Sequence, residues 1–132
     1  MAQDHVERLL DEITAWASHQ TQILVAALVG SHARGCASPE SDIDLILITS
    51  HPQVLLNTLE WIHLFGQAEK HQIENYGRLI SIRVWYAEGH EVEFGITDER
   101  WADIPIDSGT QHVISDGMQI LFERDELLSR LT

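Results

Sequence analysis

Only one cysteine, Cys36, occurs in the 132 residues, so the chain cannot close a disulfide on itself, and a zinc site built from several thiolates is excluded. Basic residues are nearly as scarce. Lys70 is the sole lysine, and eight Lys plus Arg face 21 Asp plus Glu, for a formal net charge of −13. A protein that grips a nucleic-acid backbone needs a basic stripe, which no segment here supplies, so nucleic acid is disfavoured as a partner. No apolar run approaches the roughly 20 residues that span a bilayer, and no charged leader with an apolar stretch opens the chain. A cytoplasmic protein without membrane attachment is therefore expected. The pattern GxxxxGK[ST] is missing, which excludes a P-loop as a phosphate site. Eight histidines are present, but none forms a pair at close ligand spacing.

What the chain does contain is a core and a charged motif. With 44% hydrophobic residues, 132 residues suffice for one compact domain. The continuously apolar run Ile23–Val29 reads as a strand covered on both faces. Gly30-Ser31-His32-Ala33-Arg34-Gly35 follows at once, and then Ser41-Asp42-Ile43-Asp44-Leu45. Gly30 permits a sharp turn and close backbone approach, while Ser31 offers a hydroxyl both to cap a short helix and to meet a phosphate oxygen. On the next strand, placed at 42–49, Asp42 and Asp44 leave the same face about 7 Å apart, and Ile43, Leu45 and Leu47 face the other way. Two like charges this close call for a cation, and Mg²⁺ suits a site with few carboxylates and substrate phosphates.

GSHARG followed by SDIDL resembles the motif of the DNA polymerase β-like nucleotidyltransferase superfamily, a glycine-serine turn with a downstream Asp-x-Asp strand. The likeness is greatest to the small bacterial members, which include aminoglycoside adenylyltransferases and minimal nucleotidyltransferases. The tail Asp116–Phe122 also resembles the closing strand of that group. The resemblance implies an α/β (α+β) fold, with a short mixed sheet carrying helices on one face and catalytic groups on the other, in a single nucleotidyltransferase domain over 1–132. It further implies metal-dependent transfer of a nucleoside monophosphate, AMP from ATP with Mg²⁺, to an acceptor hydroxyl. Asp42 and Asp44 would hold the metal. Gly30 and Ser31 would cradle the triphosphate, and Arg34 or Arg83 would offset its charge. The acceptor implied is a small molecule such as an aminoglycoside-like antibiotic. The alternative is an antitoxin that adenylylates or sequesters a helical partner protein. Larger relatives add a helical domain to wall the acceptor, so a homodimer or a partner protein is expected to supply that wall here.

The remaining segments are assigned from periodicity. Val6, Leu9, Leu10, Ile13 and Trp16 mark an amphipathic helix with Asp4 as its cap, and Trp16 and Trp61 belong in the core. Pro52 starts a second helix whose stripe Val54, Leu55, Leu59, Ile62 and Phe65 runs to Gly66. Residues 67–77 are polar and read as a connector. Strands at 78–86 and 90–96 form a hairpin. Matching their apolar faces requires an odd-length loop, for which Ala87-Glu88-Gly89 is the natural choice, and this sets Arg83 opposite Glu93. The resemblance calls for a third carboxylate on a neighbouring strand, as ligand or general base. Glu93, well inside the strand, is the candidate, whereas Glu91 near the turn is expected in solvent. Trp85, on the same side, is a candidate stacking surface. A loop at 97–107 and short helices at 108–115 and 125–131 complete the chain.

Overall fold

The computed structural model describes residues 2–30, 42–77, 79–98 and 119–123. The first helix, α1, spans Ala2–Ser18 and therefore runs through Asp4 instead of starting after it. Strands β1 (Ile23–Val29) and β2 (Ile43–Thr49) follow, then a short helix α2 (Pro52–Asn57) and a 3₁₀ helix (Glu60–Phe65). Strands β3 (Ala68–Asn75), β4 (Ile80–Tyr86), β5 (Glu91–Thr97) and β6 (Gln119–Glu123) complete the described elements. They form one six-stranded mixed sheet in the order β3-β4-β5-β2-β1-β6, in which only the β2–β5 pair is parallel. Among the described residues, no helix is long and apolar enough to cross a membrane.

Period-two alternation decides which side chains meet the helices. Ile43, Leu45 and Leu47 of β2, Ile82 and Val84 of β4, and Val92, Phe94 and Ile96 of β5 are buried against Leu9, Ile13 and Ala17 of α1 and against Leu55, Trp61 and Ile62. An aromatic group anchors this layer. Trp16 stacks on Trp61 at 5.2 Å between ring centroids, and Trp61 meets Phe94 edge-on at 5.0 Å. The opposite face is not bare: Val25 and Ala27 of β1 with Ile46 and Ile48 of β2 form a second buried cluster, so β1 is covered on both faces as its continuous apolar run requires. Gly95 makes room there, because a Cβ at that position would come within 3.0 Å of both Ile46 and Leu79.

Two expectations are corrected. The segment from Pro52 to Gly66 is not one helix, because Thr58 adopts an extended conformation (φ −140°, ψ 133°) and the chain restarts as a 3₁₀ turn. The Trp61 indole N–H donates to the Leu55 carbonyl at 3.0 Å, which satisfies a carbonyl that the interrupted helix leaves open. Val54, placed in the apolar stripe, is 50% exposed. Residues 67–77 are not a connector either. Most of them form β3, an outer strand whose Glu69, Lys70 and His71 are exposed and which, among the described residues, pairs only with β4. Charged side chains of this kind are how natural proteins blunt a sheet edge. The loop at 97–107 (beyond Asp98) and the helices at 108–115 and 125–131 lie outside the described residues.

Candidate active site

The hairpin register fixes the site. Ala87, Glu88 and Gly89 form a three-residue loop in which Gly89 takes φ +100° and its N–H donates to the Tyr86 carbonyl at 2.9 Å. That odd length pairs Trp85 with Glu91 and Arg83 with Glu93, as face matching requires. On the other side of β5, the parallel ladder pairs Glu93 with Asp44. Directly paired residues share a face, so Asp44, Glu93 and Arg83 form one row across three strands on the side away from the helices. Asp42 and Glu91 meet in the next row, where their carboxyl groups lie side by side.

Gly30 closes the site from β1. It takes φ +76°, and a Cβ there would come 2.5 Å from Oδ2 of Asp44, so both backbone angle and space require glycine at this turn. Ser31 and Arg34, expected to meet a triphosphate, lie outside the described residues, as do His32 and Cys36.

Electrostatics mark Asp44 as the centre. Its pKa is raised to about 6, first by burial and then by the charges of Glu93 and Asp42, with Arg83 opposing and Glu91 adding to the rise. Glu91 is also pushed up, by burial first and then by its hydrogen bond and charge repulsion with Asp42. Glu91 is therefore not a solvated turn residue. Its carboxylate lies beside Asp42 and the Trp85 indole, and 3.4 Å from Nη1 of Arg83. Glu93 is held at both oxygens: the Ser81 hydroxyl donates to Oε1 at 2.8 Å, and Arg83 Nη2 donates to Oε2 at 2.8 Å. Sequence reasoning passed over Glu91 and Ser81 as site members, although their shared parity with Glu93 and Arg83 put them on this face. Lys70 Nζ lies over the Trp85 ring at 5.0 Å from its centroid.

The four side chains Asp42, Asp44, Glu91 and Glu93 carry carboxylate oxygens, hard ligands of the kind that Mg²⁺ or Ca²⁺ takes and softer metals do not select. Asp42 and Asp44 fit a divalent cation by chemistry and by the raised pKa of Asp44, since a cation would relieve the repulsion behind it. Among the described residues, no three His, Cys, Asp or Glu side chains already converge as a complete metal group, which agrees with Glu93 being bound to Ser81 and Arg83.

A mixed sheet with helices on one face, and a glycine turn against paired aspartates on the other, is the arrangement of a nucleotidyltransferase fold. The chain belongs to the polymerase β nucleotidyltransferase family: the model described as "Polymerase beta, Nucleotidyltransferase" matches residues 11–88, more than half of its length. No curated protein matches the sequence significantly. Among solved structures, an aminoglycoside 6-adenyltransferase from Bacillus subtilis is similar in fold, with a TM-score of 0.58 at 15% identity over 71% of this chain. The chain corresponds to 35% of the length of that protein.

Proposed function

We propose that the protein transfers AMP from ATP to a hydroxyl of a small, cationic acceptor of aminoglycoside-like chemistry. The observation that carries this reading is the row Asp44–Glu93–Arg83 beside the Asp42–Glu91 pair, with Gly30 turned tightly against Asp44. Asp42 and Asp44 are the residues that would hold Mg²⁺, and Glu93 is the third carboxylate of the site. A divalent cation, when bound, supplies charge stabilisation to the entering and leaving oxygens of an in-line displacement. Gly30 and Ser31 would cradle the triphosphate and Arg34 would offset its charge. The acceptor oxygen forms its bond to the α-phosphorus as the bond to the bridging oxygen breaks; pyrophosphate leaves, and the hydroxyl proton passes to a carboxylate of the cluster. The acceptor class is supported by the net charge of −13, which favours a cation, and by the named substrate of the solved neighbour.

Paired incubations with α-labelled and γ-labelled ATP, Mg²⁺ and a panel of aminoglycosides test this. The α-label should appear on the acceptor and the γ-label in pyrophosphate. Asp42→Asn with Asp44→Asn should lower transfer by on the order of 10²–10³, the usual effect of removing electrostatic support at a reacting centre. Transfer of the γ-label would instead make the enzyme a phosphotransferase, and no transfer to any cationic acceptor by folded protein would reject the acceptor class.

A further inference from the structure

Arg83 is expected from the sequence to offset phosphate charge, and in the structure it is paired with two carboxylates. Its guanidinium spans Glu93 at 2.8 Å and Glu91 at 3.4 Å. Both carboxylates and the arginine are largely withdrawn from solvent, with side-chain exposures of 24%, 25% and 32% in the order Glu93, Glu91, Arg83. Glu93 cannot swing freely toward another cation, because its second oxygen accepts from Ser81, itself buried at 2% exposure. The arginine is equally committed. Its Nε is buried without a hydrogen-bond partner among the described residues, where the two Nη contacts are what offset the desolvation of the head group. Guanidinium does not lose its proton in a protein, so its charge at this spot is permanent, whereas a metal's is exchangeable.

The four carboxylates thus differ in their charge partners, although Glu91 stays beside Asp42. Glu91 and Glu93 share the fixed charge of Arg83, while Asp44 lies one strand further along the row with the Gly30 turn against its Oδ2. Enzymes that use two divalent ions for phosphoryl displacement place them on both sides of the reacting phosphate, so that each of two oxygens has a positive neighbour. Here the Glu91–Glu93 side of the cluster already carries a cation that is part of the chain.

Resting on the metal-site reading given under Proposed function, we propose that Arg83 is a positioning residue standing in for a second divalent cation, so that the site takes one ion, on the Asp42–Asp44 side. Arg83 orients Glu93 and carries the charge that another ion would otherwise bring.

The count of bound ions tests this without recourse to turnover. The full chain is saturated with a non-transferable α,β-methylene analogue of ATP and titrated with Mn²⁺, and bound ions per chain are counted from the electron paramagnetic resonance signal of free Mn²⁺. One ion is expected for the wild-type complex. Arg83→Met, which frees Glu91 and Glu93, should bind two, and Arg83→Lys, which keeps a charge there, should return the count to one. Two ions in the wild-type complex would overturn the inference while leaving the metal site standing, as would a count of one in a folded Arg83→Met protein. A single ion that is retained with unchanged affinity in folded Asp42→Asn/Asp44→Asn would be that of the analogue alone and would overturn both this inference and the metal-site reading. The wild-type count decides even if Arg83→Met fails to fold.

Discussion

Asp44 is the side chain on which the site turns, and its ionisation makes a signed prediction. Its pKa in the folded protein is about 6 against 3.8 for the free group, with burial the largest cause. The folded state therefore binds the proton more tightly than the unfolded state, and the metal-free protein loses stability as pH rises from about 4 to about 6. Above that window the penalty is constant, and below it the penalty is gone. Asp44→Asn removes it, so in EDTA the variant should unfold later than wild type at pH 7.5, by about 1 kcal/mol once the shift is discounted for the partial exposure of the carboxylate. The difference should vanish toward pH 4. Thermal scans at pH 4, 5, 6 and 7.5 check this, and a difference that does not change with pH would show that Asp44 ionises normally. Asp42, Asp44, Glu93 and Arg83 were legible as one face because strand parity survives any uncertainty in loop geometry. The environment of Glu91 was not, since nearness to a turn says nothing of whether Asp42, Trp85 and Arg83 reach over to cover it.

At the scale of elements, the hairpin was the most legible part, because two apolar faces and a three-residue loop ending in Gly89 leave one register that buries both. The break at Thr58 was hidden for a physical reason: the 3₁₀ turn returns Trp61, Ile62 and Phe65 to the side that α2 faces, so apolar spacing continues across the interruption. Strand β3 was hidden because an edge strand exposed on both faces needs no apolar alternation, and its sequence AEKHQIEN shows none. The join between α2 and the 3₁₀ helix predicts a specific sensitivity. Trp61→Phe keeps an aromatic ring near Trp16 and Phe94 but removes the N–H that meets the Leu55 carbonyl. The cost should be ~1–3 kcal/mol, the range for leaving a buried polar group unsatisfied. Urea unfolding should show a lower midpoint with an unchanged slope. A midpoint equal to wild type would mean that water or a shifted 3₁₀ turn satisfies the carbonyl instead.

For the whole molecule, two electrostatic burdens coexist and salt separates them. One is diffuse: a net charge of −13 spread over the chain. The other is local, the cluster of Asp42, Asp44, Glu91 and Glu93 with Arg83 as its counter-charge. Monovalent salt acts on the first, because exposed charges further apart than the Debye length, about 10 Å at 0.1 M, are screened from one another. It acts weakly on the second, whose members are in contact and partly shielded from water. NaCl should therefore raise the melting temperature gradually over hundreds of millimolar, in wild type and in Asp42→Asn/Asp44→Asn alike. Mg²⁺ should add a second, saturating rise in wild type only. Binding to the native state alone stabilises by RT ln(1 + [L]/Kd), about 2.7 kcal/mol when the ion is at 100 times its Kd. The comparison is made at matched ionic strength, so that Mg²⁺ is credited only with what NaCl cannot reproduce. If the two salts give the same curve in wild type, the carboxylates are a strained acidic patch and not a cation site. If Mg²⁺ adds its saturating rise in the double variant as well, the ion binds elsewhere than Asp42 and Asp44.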